Sequence, residues 1–371
     1  LVAVLVMCLL PNAGSFGMAV STAMIFGLVS LMFLDTSINM AMQPFKMMVG
    51  DMVNEKQKGL AYSIQSFLCN AGSLVGFLFP FIFTWIGISN IAPQGVVPDS
   101  VIYSFYIGAA ILILCVIYTT VKVKEMPPAE YAEYHGITEE EKKEKINMVK
   151  LLVKAPKAFW TVGLVQFFCW FAFMFMWTYT NGSVAANVFD APTVETVVNG
   201  ANKVVLDTKS IQYQNAADWV GVLFAVQAIG SVLWAVCIPM FKNRKLIYSL
   251  SLVLGGIGFI STYFVHNQYV LFISFLLIGC AWAAMLALPF TILTNALSGG
   301  HMGTYLGLFN GTICIPQIVA ATLGGSILAL FTPKGMLPPE INMLVMAGVM
   351  LIIGAVCVYL IKETKGEQAK A

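Results

Sequence analysis

The chain has 371 residues, of which 59% are hydrophobic and only 10% charged, with a net charge of +2. Soluble domains carry roughly 25% charged residues, so this composition excludes a soluble globular domain and identifies an integral membrane protein whose first partner is the lipid bilayer. The small net charge gives no sign of nucleic-acid binding, because its distribution follows membrane topology.

Apolar runs of about 20 residues, each long enough to cross roughly 30 Å of hydrocarbon as a helix, recur along the chain. They lie near 1–10, 18–42, 60–86, 101–121, 158–180, 217–241, 246–265, 270–297, 303–331 and 341–361. The runs are too long and too unalternating for barrel strands, so helices are the remaining solution. The first run begins without a lead-in, and the expectation is that an amino-terminal portion precedes it. The eight cysteines are scattered through the apolar runs with no CxxC pair, and they read as small buried hydrophobes. His135, His266 and His301 form no cluster, so no metal site is expected.

The second run carries "LMFLDTSINMAMQPFKMMVGDM". Asp35 falls near mid-span, where a carboxylate costs about 2.5–3.5 kcal/mol on insertion scales. That suits a site that gains and loses a proton, and the alternative is a structural carboxylate bonded to neighbouring hydroxyls. At 100° per residue Asn39, Gln43 and Lys46 fall within about 80° of Asp35. This polar stripe should line a cavity, because it cannot face lipid. Lys46 lies roughly 16 Å further along the axis, where it either snorkels to the surface or pairs with another helix. Pro44 should kink the helix. Asp51, at the membrane boundary, should be a structural partner of basic residues.

With loops assigned alternately to two sides, basic residues crowd one of them. That side holds Lys46, Lys56 and Lys58, the segment from Lys122 to Lys157, then Lys242, Arg244 and Lys245, and finally Lys362, Lys365 and Lys370. The other side holds Lys203, Lys209 and Lys334. The positive-inside rule makes the first side cytoplasmic, which places the carboxyl terminus there.

Residues 122–157 divide four runs from six. Thr138 and Glu141 have capping-box spacing, and Ile146, Val149, Leu152 and Val153 form one stripe before Pro156. An amphipathic helix on the membrane surface is expected, against a merely solvated charge run. An external loop at 181–216 contains "TVETVVNGANKVVLDT", where Asn199-Gly200 between valine-rich stretches predicts a β-hairpin.

In "QFFCWFAFMFMWTYTN", Gln166, Trp170, Trp177 and Asn181 share one helical face. Indoles beside amides suit a sugar, whose apolar ring faces stack while its hydroxyls take hydrogen bonds. The alternative is helix packing for one tryptophan and interfacial anchoring for the other. In "GCAWAAMLALPFTILTNALSGG", Pro289 should break the span, with Thr291 and Asn295 on one face toward the pathway. Asn310, Pro316 and Gln317 mark "GLFNGTICIPQIVAATLGG".

Four runs, a charged linker and six runs fit a twelve-helix plan in which the ten spans are helices 3 to 12. The expected fold is therefore an all-α polytopic membrane protein of the major facilitator type. Its domains would be a truncated amino-terminal bundle (1–121), the linker (122–157) and a six-helix carboxy-terminal bundle (158–371). Under that plan the spans holding Asp35, Trp170 and Pro289 are helices 4, 7 and 10, equivalent members of successive three-helix units.

"LDTSINMAMQPFKMMVGDM", "FFCWFAFMFMWTYT" and "HMGTYLGLFNGTICIPQI" together resemble the sucrose/proton symporter group of the glycoside-pentoside-hexuronide:cation symporters. The resemblance implies proton-coupled import of a disaccharide, an α-glucoside such as sucrose or maltose, with Asp35 as the proton-coupling carboxylate. It implies no cofactor besides the coupling proton. The basic position eleven residues on is usually arginine in that family; Lys46 keeps the charge but lacks the bidentate fork. The expected setting is the cytoplasmic membrane of a bacterium, with a small-molecule sugar as substrate and the protein acting as a monomer. Sodium coupling and a non-transporting sugar sensor remain as alternatives. An intramembrane protease is disfavoured, since "VGDM" lacks the GxGD pattern and "ALSGG" lacks GxSG.

Overall fold

The computed structural model describes residues 1–15, 20–53, 57–88, 97–124, 127, 130, 148–198, 201–296, 302–333 and 335–361. Within its helices the side chains of Gln43, Lys46, Asp51 and Asn295, among others, lie outside that description. The chain divides into two units, residues 1–54 with 75–145 and residues 55–74 with 146–371.

The amino-terminal unit begins with α1 (Val2–Leu9), which tightens into a 3-10 turn over Leu10–Ser15. Pro11 lacks the N–H that a further helical turn requires, and the helix ends where the first predicted run does. It packs on α2 (Val20–Met52) and α4 (Asp99–Lys122). Asn12 Nδ2 donates to Tyr106 Oη of α4 at 2.8 Å and to the Cys8 carbonyl at 2.8 Å. Between α2 and α4 in sequence, α3 spans Lys58–Trp85, its residues 58–74 being assigned to the other unit. The α2 helix has 33 residues, roughly 50 Å at 1.5 Å per residue, and extends ten residues past the predicted span end at Met42. It runs on through Pro44. Met24, Leu28 and Met32 are largely exposed along it.

The carboxy-terminal unit opens with α5 (Met148–Val153) and α6 (Lys157–Asn187), the latter starting at Pro156, whose fixed φ suits a helix entry. Residues 131–147, which hold the predicted capping box, lie outside the described residues. In the described part, α5, Val149 and Val153 are exposed. The Tyr305 hydroxyl donates to the Leu151 carbonyl at 3.3 Å and ties α5 down.

After α6 the hairpin forms as the sequence predicts. Strands β1 (Thr193–Val198) and β2 (Ala201–Leu206) pair antiparallel from Thr193↔Leu206 to Val198↔Ala201. That register leaves Asn199 and Gly200, themselves outside the described residues, as the connecting pair. Then follow α7 (Ile211–Cys237), α8 (Arg244–Ser261), α9 (Leu271–Ala296), α10 (Met302–Phe309), α11 (Gly311–Phe331) and α12 (Ile341–Cys357). Within this unit α9 packs on α7 and α8, α12 on α8 and α6, and α11 on α6.

Lipid gives helices no hydrophobic drive to associate, so close backbone approach and buried hydrogen bonds must hold them. Both are present. A Cβ on Gly348 of α12 would lie 2.7 Å from the Gly256 carbonyl oxygen of α8, and one on Gly256 would lie 2.9 Å from that of Gly348. Trp234 Nε1 of α7 donates to Ser251 Oγ of α8 at 2.8 Å, and Ser249 Oγ of α8 donates to the Ala355 carbonyl of α12 at 3.1 Å.

Among the described residues eight helices are long and apolar enough to cross a membrane. The other two of the ten predicted runs are the eight-residue α1 and the 28-residue α3. One predicted span, 303–331, is divided at Asn310. The Ile313 N–H reaches back only to the Asn310 carbonyl at 3.0 Å, and the Phe309 carbonyl accepts from Thr312 Oγ1 at 2.7 Å instead. A side-chain hydroxyl has replaced a ladder bond, which separates α10 from α11.

Candidate functional site

On α2, Asp35 and Asn39 stand one turn apart and meet. Asn39 Nδ2 donates to Asp35 Oδ1 at 3.1 Å and to the Asp35 carbonyl at 2.9 Å. The Asp35 side chain is otherwise exposed. Gln43, Lys46 and Asp51, predicted to continue the polar stripe or end it, lie on the same helix with side chains outside the described set.

On α6 the sequence places tryptophans seven residues apart, two helical turns, and the structure aligns them. The Trp170 and Trp177 rings stand 6.4 Å apart. A third indole, Trp282 of α9, completes the cluster at 5.7 Å from Trp170 and 5.8 Å from Trp177, edge-on to both. Phe173 backs it at 4.9 Å. The cluster is graded in exposure, with Trp170 at 9% and Trp177 at 42%. Trp170 Nε1 is buried with no hydrogen-bond partner, and an unpaired donor of that kind is expensive unless a ligand or water meets it. Sequence reasoning missed Trp282. The available signal was its setting among Gly279, Cys280, Ala281, Ala283 and Ala284, small residues that leave room for one large ring.

Gln166 lies one turn before Trp170 and is fully buried. Its Nε2 donates to the Met285 carbonyl of α9 at 3.3 Å. That carbonyl is four residues before Pro289, which has no N–H to offer it. Pro289 was expected to break this span; α9 instead continues through it to Ala296, with the bond from α6 supplying the missing partner. Gln166 is therefore a tie between two helices, and its Oε1 remains buried and unpaired.

A consequence is measurable. Gln166→Leu should lower the melting temperature of the protein in detergent, since the stranded carbonyl costs about 1–3 kcal/mol. In a Pro289→Ala background, where the substituted residue brings its own N–H, the same change at Gln166 should cost markedly less. A double-mutant cycle on the two melting temperatures checks this coupling.

Asn181 closes the face at the hairpin end. Its Nδ2 donates to Tyr213 Oη of α7 at 2.9 Å and its Oδ1 is buried without a partner. Thr291 Oγ1 donates to the Ala287 carbonyl at 2.9 Å, while the Asn295 side chain is outside the described set. Asn310 marks the α10/α11 break, with Oδ1 buried and unpaired. Pro316 is buried and Gln317 half-buried on α11.

The sequence profile of the Major Facilitator Superfamily matches residues 1–201 and 195–371. Among solved structures, a variant of the fucose:proton symporter FucP of E. coli is 14% identical with a TM-score of 0.62, over 98% of this chain and 82% of that one. FucP in an outward conformation is 13% identical with a TM-score of 0.65, over 98% and 81%. At such identities the likeness is one of fold. Among curated proteins none matches the chain. Because the superfamily profile spans the sequence from end to end, the membrane helices described above are those of a transporter fold, and the chain belongs to the Major Facilitator Superfamily.

Proposed function

We propose that this chain is a secondary active transporter that imports a sugar, an α-glucoside disaccharide such as sucrose or maltose, by proton symport through alternating access. The observation that carries the reading is the graded tryptophan cluster of α6 and α9. It offers a half-exposed indole face at Trp177, while Trp170 keeps an unpaired buried donor. Flat apolar plates beside unpaired polar atoms suit a pyranose better than an ion, a peptide or a lipid chain. Asp35 supplies the coupling group, a carboxylate on a membrane helix with one neutral amide partner. FucP, a structure of like fold, is itself described as a fucose:proton symporter. Asn181, Thr291 and Asn295 of the same unit are proposed as further sugar contacts, and Asn39 and Gln43 are proposed as sugar-binding residues of α2. The carboxyl terminus would face the cytoplasm and the hairpin the outside.

The test is uptake of labelled sucrose and maltose by the purified protein in proteoliposomes, with and without an inward proton gradient. Accumulation that collapses with a protonophore supports the proposal. Accumulation driven by sodium in the absence of a pH gradient overturns proton coupling, because it requires an oxygen cage in place of one titrating carboxylate. Transport of neither sugar overturns the substrate class.

A further inference from the structure

The hairpin end of the carboxy-terminal unit holds a carboxylate that the transport scheme above does not use. Glu340 immediately precedes α12. Its carboxyl carbon and both oxygens occupy the space that a side chain at Gly182 of α6 would fill. One turn earlier on α6, Tyr179 is buried, and its hydroxyl lies against Gly324 of α11, where a Cβ would collide with it. Two glycines on two helices thus make room for two acidic groups in one notch.

Among the described residues few other charges face this notch. α6 presents Tyr179 alone, α11 and α12 carry no charged residue, and the charges of α8, Arg244 and Lys245, stand at that helix's opposite end. Among the described residues Glu340 has no ion pair and makes no capping hydrogen bond. A helix amino terminus favours a negative charge, yet here loss of solvent prevails and burial pushes the Glu340 carboxyl up to about 7.

We propose that Glu340 is a second proton-binding site of the transporter, which seats the start of α12 on α6 when protonated and so links proton binding at the hairpin end to sugar binding on the α6 face. The sugar half of this proposal rests on the function proposed above. Gly182 follows Asn181 directly, so displacing the carboxyl from its notch acts on the backbone that positions Asn181 and, four residues earlier, Trp177.

The direction follows from linkage. A carboxyl in water titrates at 4.5 and the seated one near 7, so the seat is at full strength below the lower value and weakens as pH rises between the two. Above the higher value the seated state is disfavoured on the order of 300-fold relative to acid conditions.

Two measurements on the purified protein test this. Infrared difference spectra between about pH 4 and 9 should show a protonated-carboxyl band lost with a midpoint near 7. The band should be absent in Glu340→Gln and moved to the ordinary carboxyl range in Gly182→Ala, whose Cβ fills the notch. Calorimetric titration with sucrose and maltose should give an affinity roughly fivefold or more weaker on the alkaline side. In an Asp35→Asn background, where titration at position 35 is removed, a step should remain, and adding Glu340→Gln should abolish it. No band titrating near neutrality, or one that persists in Glu340→Gln, overturns the proton site. A pH step in affinity of equal size in Asp35→Asn with and without Glu340→Gln overturns the coupling. Absence of sugar binding at every pH overturns the sugar reading and the coupling built on it, while the carboxyl band still decides the proton site.

Discussion

Replacing Asp35 by asparagine should abolish accumulation of sugar against a gradient while leaving exchange of sugar across the membrane intact. The substitution is chosen because it separates the two roles the residue could have. Asn39 Nδ2 donates to Asp35 Oδ1 at 3.1 Å, and an asparagine carbonyl at position 35 accepts the same bond, so the local structure of α2 is kept. What is lost is titration. A symporter moving one proton per sugar can concentrate its substrate about tenfold for each unit of pH difference, because one unit corresponds to roughly 1.4 kcal/mol. In Asp35→Asn that ratio should fall to one. Counterflow, in which labelled sugar enters as unlabelled sugar leaves, involves no net proton movement and should continue. Asp35→Ala should in addition lose the side-chain bond to Asn39, leaving only the one to the backbone carbonyl. An Asp35→Asn protein that still concentrates sugar would leave Asp35 as a structural partner of Asn39 and nothing more.

The sequence displayed the membrane class, the helical runs and the hairpin because each depends on local chemistry. An Asn-Gly pair favours a tight turn whoever its neighbours are, and β1 and β2 on either side of it pair antiparallel from Thr193↔Leu206 to Val198↔Ala201. Trp170 and Trp177 align because seven residues are two helical turns, whatever packs against them. Features that depended on a second helix were not visible in the same way. Pro289 looks like a break when α9 is read alone, yet the missing donor arrives from Gln166, more than a hundred residues earlier in the chain. Trp282 looks like one more apolar residue until Trp170, Trp177 and Phe173 close around it. The interruption at Asn310 was hidden for a different reason. Pro316, the obvious breaker, is accommodated inside α11, and the ladder fails earlier, where the Thr312 hydroxyl takes the Phe309 carbonyl. Glu340 escaped notice because a glutamate at the edge of a span reads as solvated, and only the notch at Gly182 buries it.

Trp177→Ala should weaken sugar binding about 10- to 100-fold while leaving the melting temperature nearly unchanged. At 42% exposure the ring is the most open of the three indoles and its loss leaves no enclosed cavity, but a pyranose face laid on it would bury most of an indole side, worth roughly 1.5–3 kcal/mol. Trp282→Ala should behave differently. That ring fills the space between Trp170 and Trp177, so its loss opens a cavity costing about 3–5 kcal/mol and frees Trp177 to turn away. Affinity and stability should therefore fall together in Trp282→Ala, and Trp282→Phe should recover much of both by restoring part of the packing. The comparison also decides between the two roles open to Trp177. If it only anchors the helix in the bilayer interface, Trp177→Ala leaves sugar affinity untouched, and the cluster is a packing device with no ligand. If it is the sugar platform, affinity falls at Trp177 without loss of stability, a separation that helix packing alone cannot produce.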